Sequence, residues 1–364
     1  METIAPLSAA AEWDNVGLLV GGRAWPAKRV LLTIDTTTAV LNEADKGRFD
    51  AIVSYHPVLF KAAKRLVIDP RSQEGVAADC LSRHIAVYSP HTALDAAPGG
   101  TNDVLAGLAG LTDLHPISAS PMTATQCKLV VFVPETHAEK VADAVFVAGA
   151  GRIGAYEKCS FRLSGQGTFF GTESTDPAIG RKGRLERVDE LRIETVVPAD
   201  AATLRRVTQA IRSTHPYEEP AFEFYPLSGV PSLQVGQGRL GNFSASLTLG
   251  KLASALGRAT RASVLAIVGD TQSRLSRGVV IAGSGGDVPF SIPGGLRSGD
   301  VVITGEMRHH DALRIERCGA SALLLGHWTS ERPVLKSLAR SIQSRLPQCA
   351  VELSRADVDP IRSV

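Results

Sequence analysis

Four segments of this chain end an apolar run in groups able to hold a divalent ion: SYHP (54–57), SPHTALDAAPGG (89–100), TGEMRHHDA (304–312) and LLLGHWTSERP (323–333). Between them they carry His56, His91, Asp95, Glu306, His309, His310, His327 and Glu331. Imidazole nitrogen combined with carboxylate oxygen suits Zn, Mn, Fe or Co, and a carboxylate can bridge two ions. Each residue also has an ordinary structural use. A single His at a strand end commonly just hydrogen-bonds; His91 and Asp95 could cap a loop; His309 and His310 could open a helix; Glu331 could complement a helix N-terminus. Repetition of the pattern at successive strand ends favours a metal site, because the carboxyl edge of a parallel sheet gathers such loops on one rim.

Two further segments are unusual. AGSGGDVPF (282–290) follows a strand, and its backbone N–H groups could cradle an anion. It has neither the GK[ST] of a P-loop nor the G-x-G-x-x-G of a dinucleotide fold, so a plain tight turn explains it equally well. STHPYEEPAFEFYPL (213–227) places His215, Glu218 and Glu219 between two prolines. It is either a rigid connector with a solvated acidic pair or a loop that overhangs the metal rim and grips substrate.

The elements that must position these groups follow from hydrophobic periodicity. RVLLTIDTT (29–37), DAIVSYH (50–56) and IAVYSPH (85–91) read as buried strands, with helices at 74–83 and 101–110, the second capped by Thr101. Strands alternating with short helices imply a layered α/β sheet. The polar stretch 112–126, with two prolines, interrupts this pattern. The next hundred residues read strand, helix, strand, strand, helix, strand: 128–149, 159–171, 187–198, 199–216 and 221–227. That is the split β-α-β-β-α-β order of ferredoxin-like domains. After Ser228 the layered pattern resumes, with a helix at 249–258, strands at 278–286, 300–306 and 320–327, and a terminal helix at 331–346 whose first turn tolerates Pro333. The expected organisation is one α/β domain in two pieces, 1–125 and 229–364, with a ferredoxin-like domain, 126–228, inserted between them.

Composition narrows the class. A length of 364 residues is natural for two domains, and 44% hydrophobic residues can bury a sizeable core. Lys plus Arg (39) against Asp plus Glu (37) leaves +2, which gives no basic stripe for nucleic acid. No stretch approaches the ~20 apolar residues that span a bilayer, and the N-terminus lacks the basic and apolar regions of a signal peptide. Five scattered cysteines without a CxxC point to reduced thiols and a cytoplasmic protein.

Six segments, taken in order, resemble one known family: WDNVGLLVG (13–21), SYHPVLF (54–60), SPHTALDAAPGGTND (89–103), HPYEEPAFEFYPL (215–227), TGEMRHHDAL (304–313) and GHWTSERPVL (326–335). The chain is similar along nearly its whole length to the Nif-three-like family, whose members are commonly labelled GTP cyclohydrolase I type 2 homologues. The resemblance implies a dinuclear centre of divalent ions in the cleft of a duplicated α/β domain, an insert like the PII signalling fold, and a homohexamer. It implies His56, Asp95, His327 and Glu331 as ligands, with Asp95 or Glu331 bridging and His91 as an extra or neighbouring ligand. Two features depart from the family pattern. Many members carry two adjacent histidines where this chain has Tyr55-His56; a phenol with its ordinary pKa of about 10 is a poor ligand, so one metal position is expected to be weaker, to take another ion or to be empty. The usual first helix is also missing before IAPLSAAAEWDN, which suggests a start further upstream.

Two functions follow from the resemblance. One is a metal-dependent hydrolase acting on a nucleotide or another phosphorylated small molecule, with Glu306 or His309 shuttling protons if they face the cleft, and Tyr55, His215 and Glu219 touching substrate. The other is a non-enzymatic, ring-forming metal-binding scaffold or regulator whose insert senses a ligand.

Overall fold

A computed structural model describes residues 1–121, 126–229, 231–262 and 266–362. The chain forms two compact units, one of residues 1–120 and 231–364 and the other of residues 121–230.

The larger unit contains two α/β sheets. In the first, the order is Gly17–Val20, Ala86–Ser89, Ala51–Ser54, Arg29–Thr33, Ala350–Leu353. All neighbours are parallel except Gly17–Val20, which runs antiparallel to Ala86–Ser89. The second sheet has the order Ala266–Val268, Ser321–Leu324, Asp300–Glu306, Arg274–Ser284, Arg239–Thr248, Leu111–His115, and its three middle-to-left strands 321–324, 300–306 and 274–284 are parallel. The central strands are continuous apolar runs because both faces are covered. Val30, Leu32 and Ile34 pack with Leu335 and Leu338 on one side of the first sheet, while Leu31, Ile52 and Val87 pack with Leu41 and Cys80 on the other.

The two pieces of this unit are interlaced. Leu111–His115, inside the stretch expected to interrupt the pattern, is an edge strand of the second sheet, paired with Arg239–Thr248. Its neighbours Ser118–Pro121 pair with Pro231–Gln237, and 122–125 lie outside the described residues. The chain does not finish on a helix: after Val334–Arg345 it adds Ala350–Leu353 to the first sheet, parallel to Arg29–Thr33. The polar composition of 111–121 concealed a strand because an edge strand buries little of its surface. Thr101 is not a cap. Gly100 occupies that position and Thr101 is the first helical residue of Thr101–Leu108, since a Cβ at Gly100 would lie 1.8 Å from the Leu94 carbonyl oxygen.

The smaller unit has a four-stranded sheet in the order Phe222–Pro226, Gln126–Pro134, Leu185–Pro198, Phe161–Phe170, with every neighbour antiparallel. Helices Ala138–Val147 and Ala201–Thr214 pack Val141, Val145, Val207 and Ile211 against Leu129, Val131 and Ile193. Among the described residues no helix is long and apolar enough to cross a membrane, and all five cysteines are free.

Candidate metal centre

The parallel strands of both sheets in the larger unit end at one cleft of about 970 Å³. Arg29–Thr33 delivers Asp35, Ala51–Ser54 delivers Tyr55 and His56, and Ala86–Ser89 leads through Pro90 into the short helix His91–Ala96 that carries Asp95. From the second sheet, Arg274–Ser284 brings Gly283, Asp300–Glu306 ends on Glu306, and Ser321–Leu324 leads into the helix His327–Glu331.

Three of these side chains converge. Ligand atoms of His56, His327 and Glu331 all lie within 4.8 Å of one another, the only such group among the described residues. His56 Nε2 is 3.3 Å from Glu331 Oε2 and His327 Nε2 is 3.1 Å from Oε1. The other ring nitrogens are held from behind: His56 Nδ1 is 2.9 Å from Asp35 Oδ1, and His327 Nδ1 is 3.0 Å from Glu306 Oε1. With Nδ1–H donating outward, the neutral tautomer of each imidazole turns its Nε2 lone pair toward Glu331, the orientation that metal-ligating histidines take from a carboxylate partner. Glu331 is 3% exposed, and its Oε2 has no hydrogen-bond partner. A buried carboxylate oxygen left without a donor is costly, and a cation between the two imidazoles would satisfy it. These three side chains could hold a divalent ion.

In the ion-free protein, protons take the place of that charge. Burial opposes charge on His56, but the hydrogen bond to Asp35 and the negative charges of Glu331 and Asp35 outweigh it and raise its pKa to about 10. The hydrogen bond with Glu331 raises His327 to about 9 against its burial, with Glu306 adding to the effect. Burial would push Glu331 up, yet the two imidazoliums hold it below the usual carboxylate range.

Close backbone approach is what lets the second-sheet helix reach this point. Gly283 has φ +63°, and a Cβ there would lie 2.3 Å from Glu331 Oε1; a Cβ at Gly305 would lie 2.6 Å from the Gly283 carbonyl oxygen and 2.8 Å from His327 Cα. The glycine-rich turn makes room for the carboxylate, and Gly283 N–H donates to Ser330 Oγ at 2.8 Å. Asp357 ties the helix to the first sheet, accepting from Trp328 Nε1 (2.9 Å) and from Ile34 N–H (3.0 Å).

The remaining expected residues are distributed as follows. Tyr55 is 1% exposed, and its hydroxyl donates to Asp95 Oδ1 at 2.5 Å. Burial raises Asp95 to about 6, with the negative charge of Glu331 adding to this. His91 lines the cleft with its ring centroid 5.3 Å from that of His56, and its Nδ1 is 2.9 Å from Asp14 Oδ2. Glu306 stands behind His327 and is half exposed. His309 is exposed in the first turn of His309–Arg317 and does not line the cleft. His215 and Glu219 belong to the smaller unit. There both His215 ring nitrogens are engaged internally, with Nε2 2.9 Å from the Phe132 carbonyl oxygen and Nδ1 accepting from Tyr217 N–H, while Glu219 is exposed.

Sequence reasoning missed Asp14, Asp35 and Arg239. Asp14 sits in WDNVG and Asp35 directly after a strand; the available signal was a carboxylate near each strand-end His. Arg239 is 1% exposed. It pairs with Asp103 and donates to the carbonyl oxygens of Ala96 and Ala97, which fixes the loop following Asp95.

A family model described as Duf34/NIF3 (NGG1p interacting factor 3) matches residues 1–360. A Halalkalibacterium halodurans protein named GTP cyclohydrolase 1 type 2 homolog is 36% identical over 310 residues, 85% of this chain and 81% of its own. Among solved structures, a Bacillus cereus protein related to NIF3 is 33% identical with a TM-score of 0.67. A Staphylococcus aureus protein is 27% identical with a TM-score of 0.80. In both cases the match covers 100% of this chain and 96% of the other.

Proposed function

The chain belongs to the Duf34/NIF3 family, and from that premise we propose that it is a metal-dependent hydrolase acting on a nucleotide or a similar phosphorylated small molecule. The observation that carries this reading is the group His56, His327 and Glu331 at the floor of an open cleft, each imidazole backed by its own carboxylate. A divalent ion held there would supply Lewis acidity and lower the pKa of a water toward 7.

The chain's own residues supply the rest. Asp95 lines the same cleft with a pKa of about 6, so near neutral pH it can accept a proton and return it. Trp13 and Phe60 both pack near His91, with ring centroids 6.1 and 5.5 Å from it, and expose 69% and 41% of their surface. They offer apolar faces on which a heterocyclic base can stack. Helices Thr38–Lys46 and Gln73–Ser82 both begin at the cleft, and Arg71 lies beside the second. Helix N-termini with hydroxyls and one guanidinium suit a phosphate group. The names of the relatives point to GTP ring opening, which would use the same activated water.

The test is elemental analysis of the purified protein, followed by incubation with a nucleotide panel while formate and phosphate are monitored. His327→Ala is expected to lose bound metal and any turnover together. Unchanged metal content in that variant, or turnover that survives complete chelation, would refute the proposal.

A further inference from the structure

The family pattern implies two ions, and the structure fits only one of the two positions. The position built by His56, His327 and Glu331 has donor atoms within 4.8 Å of one another. The neighbouring position would draw on Asp95, His91 and whatever residue stands at 55. No three of its groups approach one another comparably among the described residues.

The reason lies in Tyr55. Its ring is 1% exposed and belongs to the buried cluster of the first sheet that also holds Ile34, Ala93 and Leu94, so packing holds the phenol in place. The hydroxyl reaches Asp95 Oδ1 at 2.5 Å, a short and therefore strong contact. In that contact the hydroxyl engages an oxygen of Asp95 that an ion at the second position would draw on. Asp95 is immobilised as well: Asn102 Nδ2 donates to its backbone carbonyl at 3.0 Å, while Asn102 Oδ1 accepts from Ala282 N–H at 2.9 Å.

We infer that the centre of this chain takes a single divalent ion, at His56, His327 and Glu331, and that the Tyr55–Asp95 hydrogen bond fills the place of a second. The inference rests on the metal-site reading above and concerns how many ions that site holds. It also assigns Tyr55 a positioning role: the phenol orients Asp95 along the cleft wall and does not coordinate.

The experiment is to strip the whole protein with chelator, reload it with excess Mn²⁺ or Zn²⁺, desalt it and count ions per chain. Wild type is expected to hold one ion, Tyr55→Phe also one because phenylalanine releases Asp95 but brings no donor atom, and Tyr55→His more than one. Loading with Fe³⁺ adds a spectroscopic readout, because a coordinated phenolate gives a visible charge-transfer band; none is expected. Two ions in wild type, or such a band lost in Tyr55→Phe, would overturn the inference. One ion in a folded Tyr55→His would overturn Tyr55 as its cause. Should Tyr55→His fail to fold, the wild-type and Tyr55→Phe counts still decide. A wild-type protein that holds no ion at all overturns the metal-site reading itself, which is a different result from holding two.

Discussion

The affinity of the centre for a divalent ion should depend steeply on pH, and the structure gives the slope. Without metal, His56 and His327 titrate at about 10 and about 9, so both are imidazolium at neutral pH. Coordination through Nε2 requires each to lose one proton, while Glu331 is already ionised. Each ion bound therefore displaces two protons, and the dissociation constant should fall about 100-fold per pH unit, or roughly 1,000-fold from about pH 6.5 to 8.0. Competition against a chromogenic chelator of known protonation would measure this with Zn²⁺. The linked effect on the metal-free fold has the opposite sign. Both histidines have raised pKa values, so their stabilising contribution is complete below the ordinary pKa of about 6.5 and is lost as pH rises through 9 and 10. The metal-free protein should thus melt at progressively lower temperature across that window, while the benefit of added Zn²⁺ grows. An affinity that changes less than tenfold per pH unit would refute the two-imidazole assignment, because at least one histidine would then not be giving up a proton to the ion.

Three other outcomes follow from the same geometry. Asp35→Asn and Glu306→Gln keep the shape but remove the charge behind each imidazole, and each should weaken metal binding about 10- to 100-fold with the fold intact by circular dichroism. Gly283→Ala forces a Cβ toward Glu331 Oε1 at a left-handed backbone position; it should cost about 1–2 kcal/mol of stability by thermal melting and at least tenfold in metal affinity. His309→Ala, at an exposed position away from the cleft, should leave metal content and turnover unchanged, and a large loss of turnover would mean that the helix it opens takes part in the chemistry.

Much of the fold was legible because buried parallel strands are written as unbroken apolar runs: VVIT lies in Asp300–Glu306 as expected and AIVS in Ala51–Ser54 within two residues, while VLLT lies in Arg29–Thr33, which stops short of the expected end at 37. The strands at 17–20, 111–115 and 350–353 were not legible. They are edges with partly exposed faces, and their pairing is decided by which sheet has a free neighbour. At the site, His56, His327 and Glu331 stood out by residue type at strand ends. The carboxylates behind His56 and His91 did not, since Asp35 and Asp14 are common residue types whose meaning depends on a 2.9 Å approach to an imidazole from another segment.

By itself the sequence determined the donor types and their order along the chain, because a strand that must be buried on both faces leaves only its end free for polar groups. Which donors meet was decided by the tertiary structure. It brings residues 56 and 331 together across the two sheets, makes room for Glu331 over a glycine backbone, and turns Tyr55 into the core so that its hydroxyl engages Asp95. Those outcomes depend on distances of a few tenths of an ångström between segments far apart in the chain, and local sequence preferences do not encode them.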